Sequence, residues 1–168
     1  MMPSRLSWVE LPFPGRLTVI PRPHPDTFDW LRAQGVDLVV SLLGEREAQS
    51  LGLDTEAELC RAAAMDFRWL PVTDHGVPSS FEAVKLLAAE IGACLRQDQA
   101  IAIHCYAGLG RSPLLAGCVL VHEGLATQDA FDRISAARGY VVPEMEEQFE
   151  WVATFEQRLG AERGATGG

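Results

Sequence analysis

The chain has 168 residues, 48% of them hydrophobic and 22% charged, and a formal net charge of −9. That length suits one domain with a full core. The acidic balance counts against a nucleic-acid partner, which needs a basic face to displace counterions, and against an anionic membrane surface, while leaving room for one small positive pocket. The four cysteines form no C-x-x-C pair and no zinc-ligand spacing, so no metal or other cofactor is implied, and a reducing, cytoplasmic setting is expected. The N-terminus, "MMPSRLSWVELPFPGRL", lacks a continuous apolar stretch of the signal-peptide kind, and no window is apolar for long enough to span a bilayer.

In chain order, "LTVI" (Leu17–Ile20) reads as a short strand after a Pro-Gly turn, and "PRPHP" excludes regular structure. Asp26 is placed to cap a helix through "TFDWLRAQG", which Gly35 ends. "DLVVSLL" (Asp37–Leu43) is a buried strand by its nearly unbroken apolar character. "EREAQSLGL" and "TEAELCRAAAM" read as helical turns, the second with Leu59, Cys60, Ala62 and Ala63 on its apolar face. "FRWLPV" (Phe67–Val72) is a strand leading into the polar loop "VTDHGVPSS", and Ser79 or Ser80 caps the helix beyond it. Phe81, Val84, Leu87, Ala88, Ile91 and Leu95 then recur at helical spacing. "AIAIHC" (Ala100–Cys105) is a buried strand and "SPLLAGCVLVHEG" a helix apolar all round, expected at the centre of the domain. Two amphipathic helices follow, "TQDAFDRISAARG", with Gly139 as its C-cap after Arg138, and "PEMEEQFEWVATFEQRL". Strands alternating with helices define an α/β sheet covered on both faces. One domain over residues 1–159 is expected, with 160–168 a disordered tail.

Between the strand at Ala100–Cys105 and the central helix lies "CYAGLGR". Gly108 and Gly110 permit tight or positive-φ backbone, so successive N–H groups of Tyr106, Ala107, Gly108, Leu109, Gly110 and Arg111 can turn inward as an anion cradle. The helix that follows points its positive N-terminus at the same place, and Arg111 adds a planar fork matched to phosphate oxygens. Cys105 at the start of the loop sits where its thiolate, the nucleophilic form, is favoured. By composition alone, His-Cys, five residues, Arg and Ser/Thr would occur by chance with probability roughly 6 × 10⁻⁴. Placement between a buried strand and an apolar helix lowers that further, so a merely structural Cys105 is disfavoured.

"HCYAGLGRS" resembles the H-C-x5-R-[S/T] signature of the cysteine-dependent protein tyrosine phosphatases. The longer "LRQDQAIAIHCYAGLGRSPLLAGCVLV" is similar to the atypical dual-specificity branch, near kinase-associated phosphatase, Cdc14-like and small bacterial members. The resemblance spans about Leu38 to Phe155. It implies a mixed, mostly parallel sheet of about five strands flanked by helices, and a phosphomonoester hydrolase acting without metal through a cysteinyl-phosphate on Cys105. Arg111 would clamp the phosphate, Ser112 support the departing thiolate, and His104 serve as a structural hydrogen-bonder. "PVTDHGVPSS" stands where the family places its acid loop, so Asp74 is the expected general acid, preferred over a mere Asx-turn. His75 is expected to be exposed. Gln148 matches a family position that helps orient the hydrolytic water, with a solvated helix residue as an equal alternative. Glu45 or Glu47 would orient Arg111, or simply begin a surface helix. The expected substrate is a phosphorylated protein or small phosphomonoester. A phospholipid or RNA 5′-phosphate substrate is disfavoured by a loop without lysine and an acidic surface, and an inactive phosphate-binding module by the presence of Cys105, Arg111 and Asp74 together.

Overall fold

The computed structural model of the chain describes residues 4–166. Four strands, β1 (Arg16–Ile20), β2 (Leu38–Ser41), β3 (Asp66–Trp69) and β4 (Ala100–His104), form a sheet in the order β1-β4-β2-β3, and every pairing is parallel. Seven α-helices accompany them in the described residues: α1 (Phe28–Ala33), α2 (Glu45–Ser50), α3 (Glu56–Ala62), α4 (Phe81–Arg96), α5 (Arg111–His122), α6 (Thr127–Arg138) and α7 (Glu146–Thr166).

Strand alternation divides the core into two layers. Leu38, Val40, Ile101 and Ile103 join residues of α4, α5, α6 and α7 on one face, whereas Val39 and Ala102 join Phe28, Leu31, Ala48 and Cys60 on the other. β2 and β4 are covered on both sides, which is why their sequences are apolar without alternation. β3 is the exposed edge. α5 is buried from Arg111 through Val121 and packs against α4, α6 and α7, the central place its all-round apolarity requires. Gly117 lets α6 approach: a Cβ there would lie 3.1 Å from the Phe131 ring.

Several expectations need correction. The sheet has four strands rather than about five, and it is parallel rather than mixed among the described residues. The stretch before β1 runs beside it, with Val9 N–H donating to Leu17 O (2.8 Å) and Thr18 Oγ1 to Ser7 O (2.7 Å), but forms no strand. Pro12 and Pro14 follow at once, and proline cannot donate to a ladder. Asp26 does not cap α1: it lies inside a 3₁₀ turn, Pro25–Thr27, whose N-cap is His24. Of the two candidate serines, Ser80 caps α4, its Oγ accepting from Ala83 N–H at 3.1 Å.

α7 continues through Gly160 and Gly164 to Thr166, where composition suggests a disordered tail. Tertiary bonds hold this end against the weak helix propensity of glycine: Lys85 Nζ reaches Glu162 Oε2 at 2.9 Å, and Arg163 Nη2 donates to His122 O at 3.0 Å.

Phe131 packs against Phe149 in a tilted arrangement with ring centroids 5.3 Å apart and is 1% exposed, so it joins α6, α5 and α7. Phe131→Ala is expected to lower the unfolding free energy by about 3–5 kcal/mol in a denaturant titration, with a loss below about 1 kcal/mol counting against this packing.

Candidate active site

His104, the last residue of β4, pairs in register with Ile20 of β1 and Ser41 of β2, so Cys105 emerges at the carboxyl edge of the sheet's interior. Open α/β sheets place ligands at that edge. Cys105 is 3% exposed, and its Sγ lies 3.1 Å from Ser112 Oγ in the first turn of α5. The loop turns through Gly108, at φ +73. A Cβ at Gly108 would lie 2.7 Å from Ile20 C, so both the conformation and the space require glycine. Gly110 is constrained from the other side, since a Cβ there would sit 2.9 Å from the Gln148 carboxamide and from Glu144 Oε1.

Arg111 is 2% exposed. Its Nη1 donates to Glu47 Oε1 (2.7 Å), Val72 O (2.8 Å) and Leu42 O (3.4 Å), and its Nη2 to Glu47 Oε2 (3.0 Å) and Asp74 Oδ1 (3.1 Å). Glu47 thus meets the guanidinium with both oxygens and is itself held by Gly44 N–H at 2.9 Å. Burial works against the charge of Arg111, but the bonds to Glu47, and then the field of Cys105, keep its pKa above the ordinary value. The same bond from Arg111 holds the Glu47 carboxyl below the usual carboxylate range. Of the two candidates for this pairing, Glu47 makes it. Glu45 lines a separate cavity with Phe67 and Trp69.

The polar loop after β3 is tied down at several points. Val72 O and the Asp74 carboxylate both rest on Arg111, Gly76 N–H closes a turn onto Thr73 O (2.8 Å), and His75 sits at φ +59 within that turn. His75 is exposed, as expected, and spans two carboxylates: its Nδ1 is 3.3 Å from Glu144 Oε1 and its Nε2 3.6 Å from Asp74 Oδ2. Gln148 is fully buried rather than solvated. Its Nε2 donates to Gly76 O (3.1 Å) while its Oε1 accepts from Met145 N–H (3.3 Å), so it straps the Asp74 loop to the start of α7 beside Gly110. Asp74 itself stays half exposed at the mouth.

His104 lies beneath the loop with no exposed surface, its Nδ1 3.2 Å from Cys105 O and its Nε2 2.6 Å from Glu56 Oε2. Glu56 was not anticipated; its only sequence signal is its position four residues before buried Cys60 on α3. Arg138 was read only as a helix end, yet its guanidinium reaches the cradle's carbonyls: Nε donates to Gly108 O (2.9 Å) and Nη2 to Ala107 O (3.2 Å). Burial pushes the Cys60 thiol up to about 12 and also raises Cys94 and Cys118.

A parallel α/β sheet with a Cys-x5-Arg cradle at its carboxyl edge matches known proteins. The Tc-R-P family, described as a polymorphic toxin system DSP-PTPase phosphatase, matches residues 17–125. The chain therefore belongs to this family, a branch of the dual-specificity and tyrosine phosphatase superfamily. It is 31% identical over 93 residues to cyclin-dependent kinase inhibitor 3 of Rattus norvegicus, a match covering 54% of this chain and 43% of that protein. The chain thus spans less than half the length of the curated relatives of that type. Among solved structures, kinase associated phosphatase with its catalytic-site cysteine replaced by serine superposes with a TM-score of 0.82 at 22% identity, covering 96% of this chain and 98% of that one. PTPMT1 in complex with PI(5)P superposes with a TM-score of 0.76 at 18% identity, covering 87% and 93%. At these identities the two structures establish a shared fold.

The depressed Glu47 carboxyl sets a pH dependence. A lowered folded-state pKa stabilises fully above the ordinary value of 4.5 and is lost as the pH falls through the folded value. The stability gap between wild type and Glu47→Gln, measured by denaturant unfolding, should therefore narrow as the pH falls below the ordinary carboxylate value of 4.5. A gap that stays constant as the pH falls would show that the Glu47 charge is not what stabilises.

Proposed function

We propose that the protein is a cysteine-dependent phosphomonoester hydrolase acting on phosphorylated protein, with Cys105 as nucleophile, Arg111 as phosphate clamp and Asp74 as general acid and base. The observation that supports this most strongly is that the Asp74 carboxylate, from a loop more than thirty residues upstream, meets the buried Arg111 fork on the same short loop that carries Cys105.

In the first step the Cys105 thiolate attacks phosphorus in line. The S–P bond forms as the P–O bond breaks, and protonated Asp74 delivers its proton to the departing oxygen. The inward N–H groups from Tyr106 to Arg111 and the guanidinium hold the three non-bridging oxygens. In the free protein Asp74 occupies Nη2 of Arg111, so the phosphoryl group replaces it there and leaves the carboxyl facing the leaving oxygen. In the second step water attacks the cysteinyl-phosphate, Asp74 takes the water's proton, and Ser112 donates a hydrogen bond to the sulfur that leaves. Gln148, between the cradle and the Asp74 loop, is placed to orient that water. His104, anchored by Glu56, supports the backbone at Cys105 rather than acting as a base. A nucleophilic thiol has to stay reduced, which supports a cytoplasmic setting, and among the described residues no helix is long and apolar enough to cross a membrane. The net charge of −9 supports a protein rather than a nucleic-acid substrate.

Wild type should hydrolyse p-nitrophenyl phosphate without added metal, and Cys105→Ser should abolish turnover while retaining phosphate binding. Binding without turnover in wild type would sink the enzyme reading. Asp74→Asn should lower kcat about 10²–10⁴-fold on a phosphotyrosine peptide with little change in KM, since the proton is needed only in the transition state. An unchanged kcat on this poor leaving group would assign the acid to another residue. Rates on phosphotyrosine peptide, phosphothreonine peptide and phosphatidylinositol monophosphate decide the substrate class, with the peptides expected to be faster.

A further inference from the structure

A peptide plane carries its N–H and its C=O on opposite sides. The N–H groups of the cradle therefore face the anion only while its carbonyls face away, and each carbonyl turned into the protein needs a donor there. Every carbonyl from Tyr106 to Leu109 has one. Tyr106 O accepts from Arg22 N–H at 2.9 Å, and Leu109 O from Glu144 N–H at 2.8 Å. The two between them, Ala107 O and Gly108 O, are held by a single side chain, Arg138.

These two planes are also the ones that most need holding. They flank Gly108, at φ +73, where no Cβ restricts the backbone and a peptide flip meets the least steric resistance. Their N–H groups belong to Gly108 and Leu109, in the middle of the cradle. Arg138 stands at the end of α6, where Gly139 at φ +74 caps the helix, and its guanidinium lies 5.6 Å from the Tyr140 ring centroid. A planar fork satisfies two carbonyls on adjacent planes at once, which an ammonium cannot do with the same geometry. Burial lowers the Arg138 pKa, opposed by the fields of Tyr140 and Cys105.

We propose that Arg138 is a positioning residue for the oxyanion cradle: by gripping Ala107 O and Gly108 O from outside, it fixes the Gly108 and Leu109 N–H groups toward the bound phosphoryl oxygens. The proposal rests on the phosphatase reading, and it extends that reading to a residue more than thirty positions beyond the nucleophile that acts through the carbonyls of the cradle.

The test combines hydrolysis of p-nitrophenyl phosphate with binding of tungstate, an oxyanion probe of the cradle, in wild type, Arg138→Met, Arg138→Lys and the control Arg133→Met on the same helix. Arg138→Met should lose about 10–100-fold in kcat/KM and a comparable factor in tungstate affinity, as expected for removal of two charge-assisted bonds. Arg138→Lys, with charge but no fork, should fall between, and Arg133→Met should match wild type. Tungstate affinity in Arg138→Met within about twofold of wild type would overturn the proposal. Should Arg138→Met fail to fold, Arg138→Lys decides: about a threefold or greater loss of tungstate affinity supports the role, and unchanged affinity overturns it. Wild type that binds tungstate but turns nothing over refutes the phosphatase reading, while the binding series still decides the role of Arg138.

Discussion

A guanidinium buried to 2% exposure inside an acidic chain has to be matched by fixed acceptors, and the answer to that demand at Arg111 organises the site. Glu47 supplies both carboxylate oxygens, and Leu42 and Val72 supply carbonyls. In meeting those bonds, α2, the end of β2 and the loop after β3 are drawn to the first turn of α5. An uncompensated buried charge costs several kcal/mol, so the cation enforces the convergence as much as it benefits from it. The Asp74 carboxylate arrives by the same route, because the loop that carries it is anchored through Val72 O.

Around this cation the protein builds its small positive region by geometry rather than by net charge. The cradle lies at the N-terminus of α5 and at the carboxyl edge of β4, where the helix dipole favours an anion. The loop is clamped from outside by Arg22 N–H, Arg138 and Glu144 N–H, and from below by His104, itself held by Glu56. The Asp74 loop is clamped as well, by Arg111, Gln148 and His75. For the proposed reaction, the bracing of both loops supplies the organisation that an oxyanion site needs before the charge develops.

Much of this was legible along the chain where the chemistry is local. Cys105, Gly108, Gly110, Arg111 and Ser112 lie within one short loop and helix start, so spacing alone displays the cradle. Asp74 was legible because Asp-His-Gly beside proline marks a turn between a strand and a helix. Residues that act across the fold were not. Glu45 and Glu47 are equivalent in sequence, and only the rotation of α2 selects Glu47. Gln148 could equally have faced solvent; packing of α7 over Gly110 buries it. Glu56 and Arg138 lie 49 residues before and 33 residues after Cys105 and carry no local sign of reaching its loop. The two terminal glycines of α7 misled because intrinsic propensity omits the bonds from Lys85 to Glu162 and from Arg163 to His122 O.

The sequence by itself determined the alternation of strand and helix, the buried character of β2, β4 and α5, and the Cys105–Arg111 loop and Asp74 turn to which the proposed function assigns the nucleophile, clamp and acid. These follow from periodicity, burial tendency and turn chemistry, which act between near neighbours. Tertiary structure alone decided that the sheet closes at four parallel strands, that Glu47 faces Arg111, and that Arg138, Glu56 and Gln148 brace the site. Those depend on which distant surfaces meet, and that is settled by the packing of whole elements and by the need of each buried polar group for a partner.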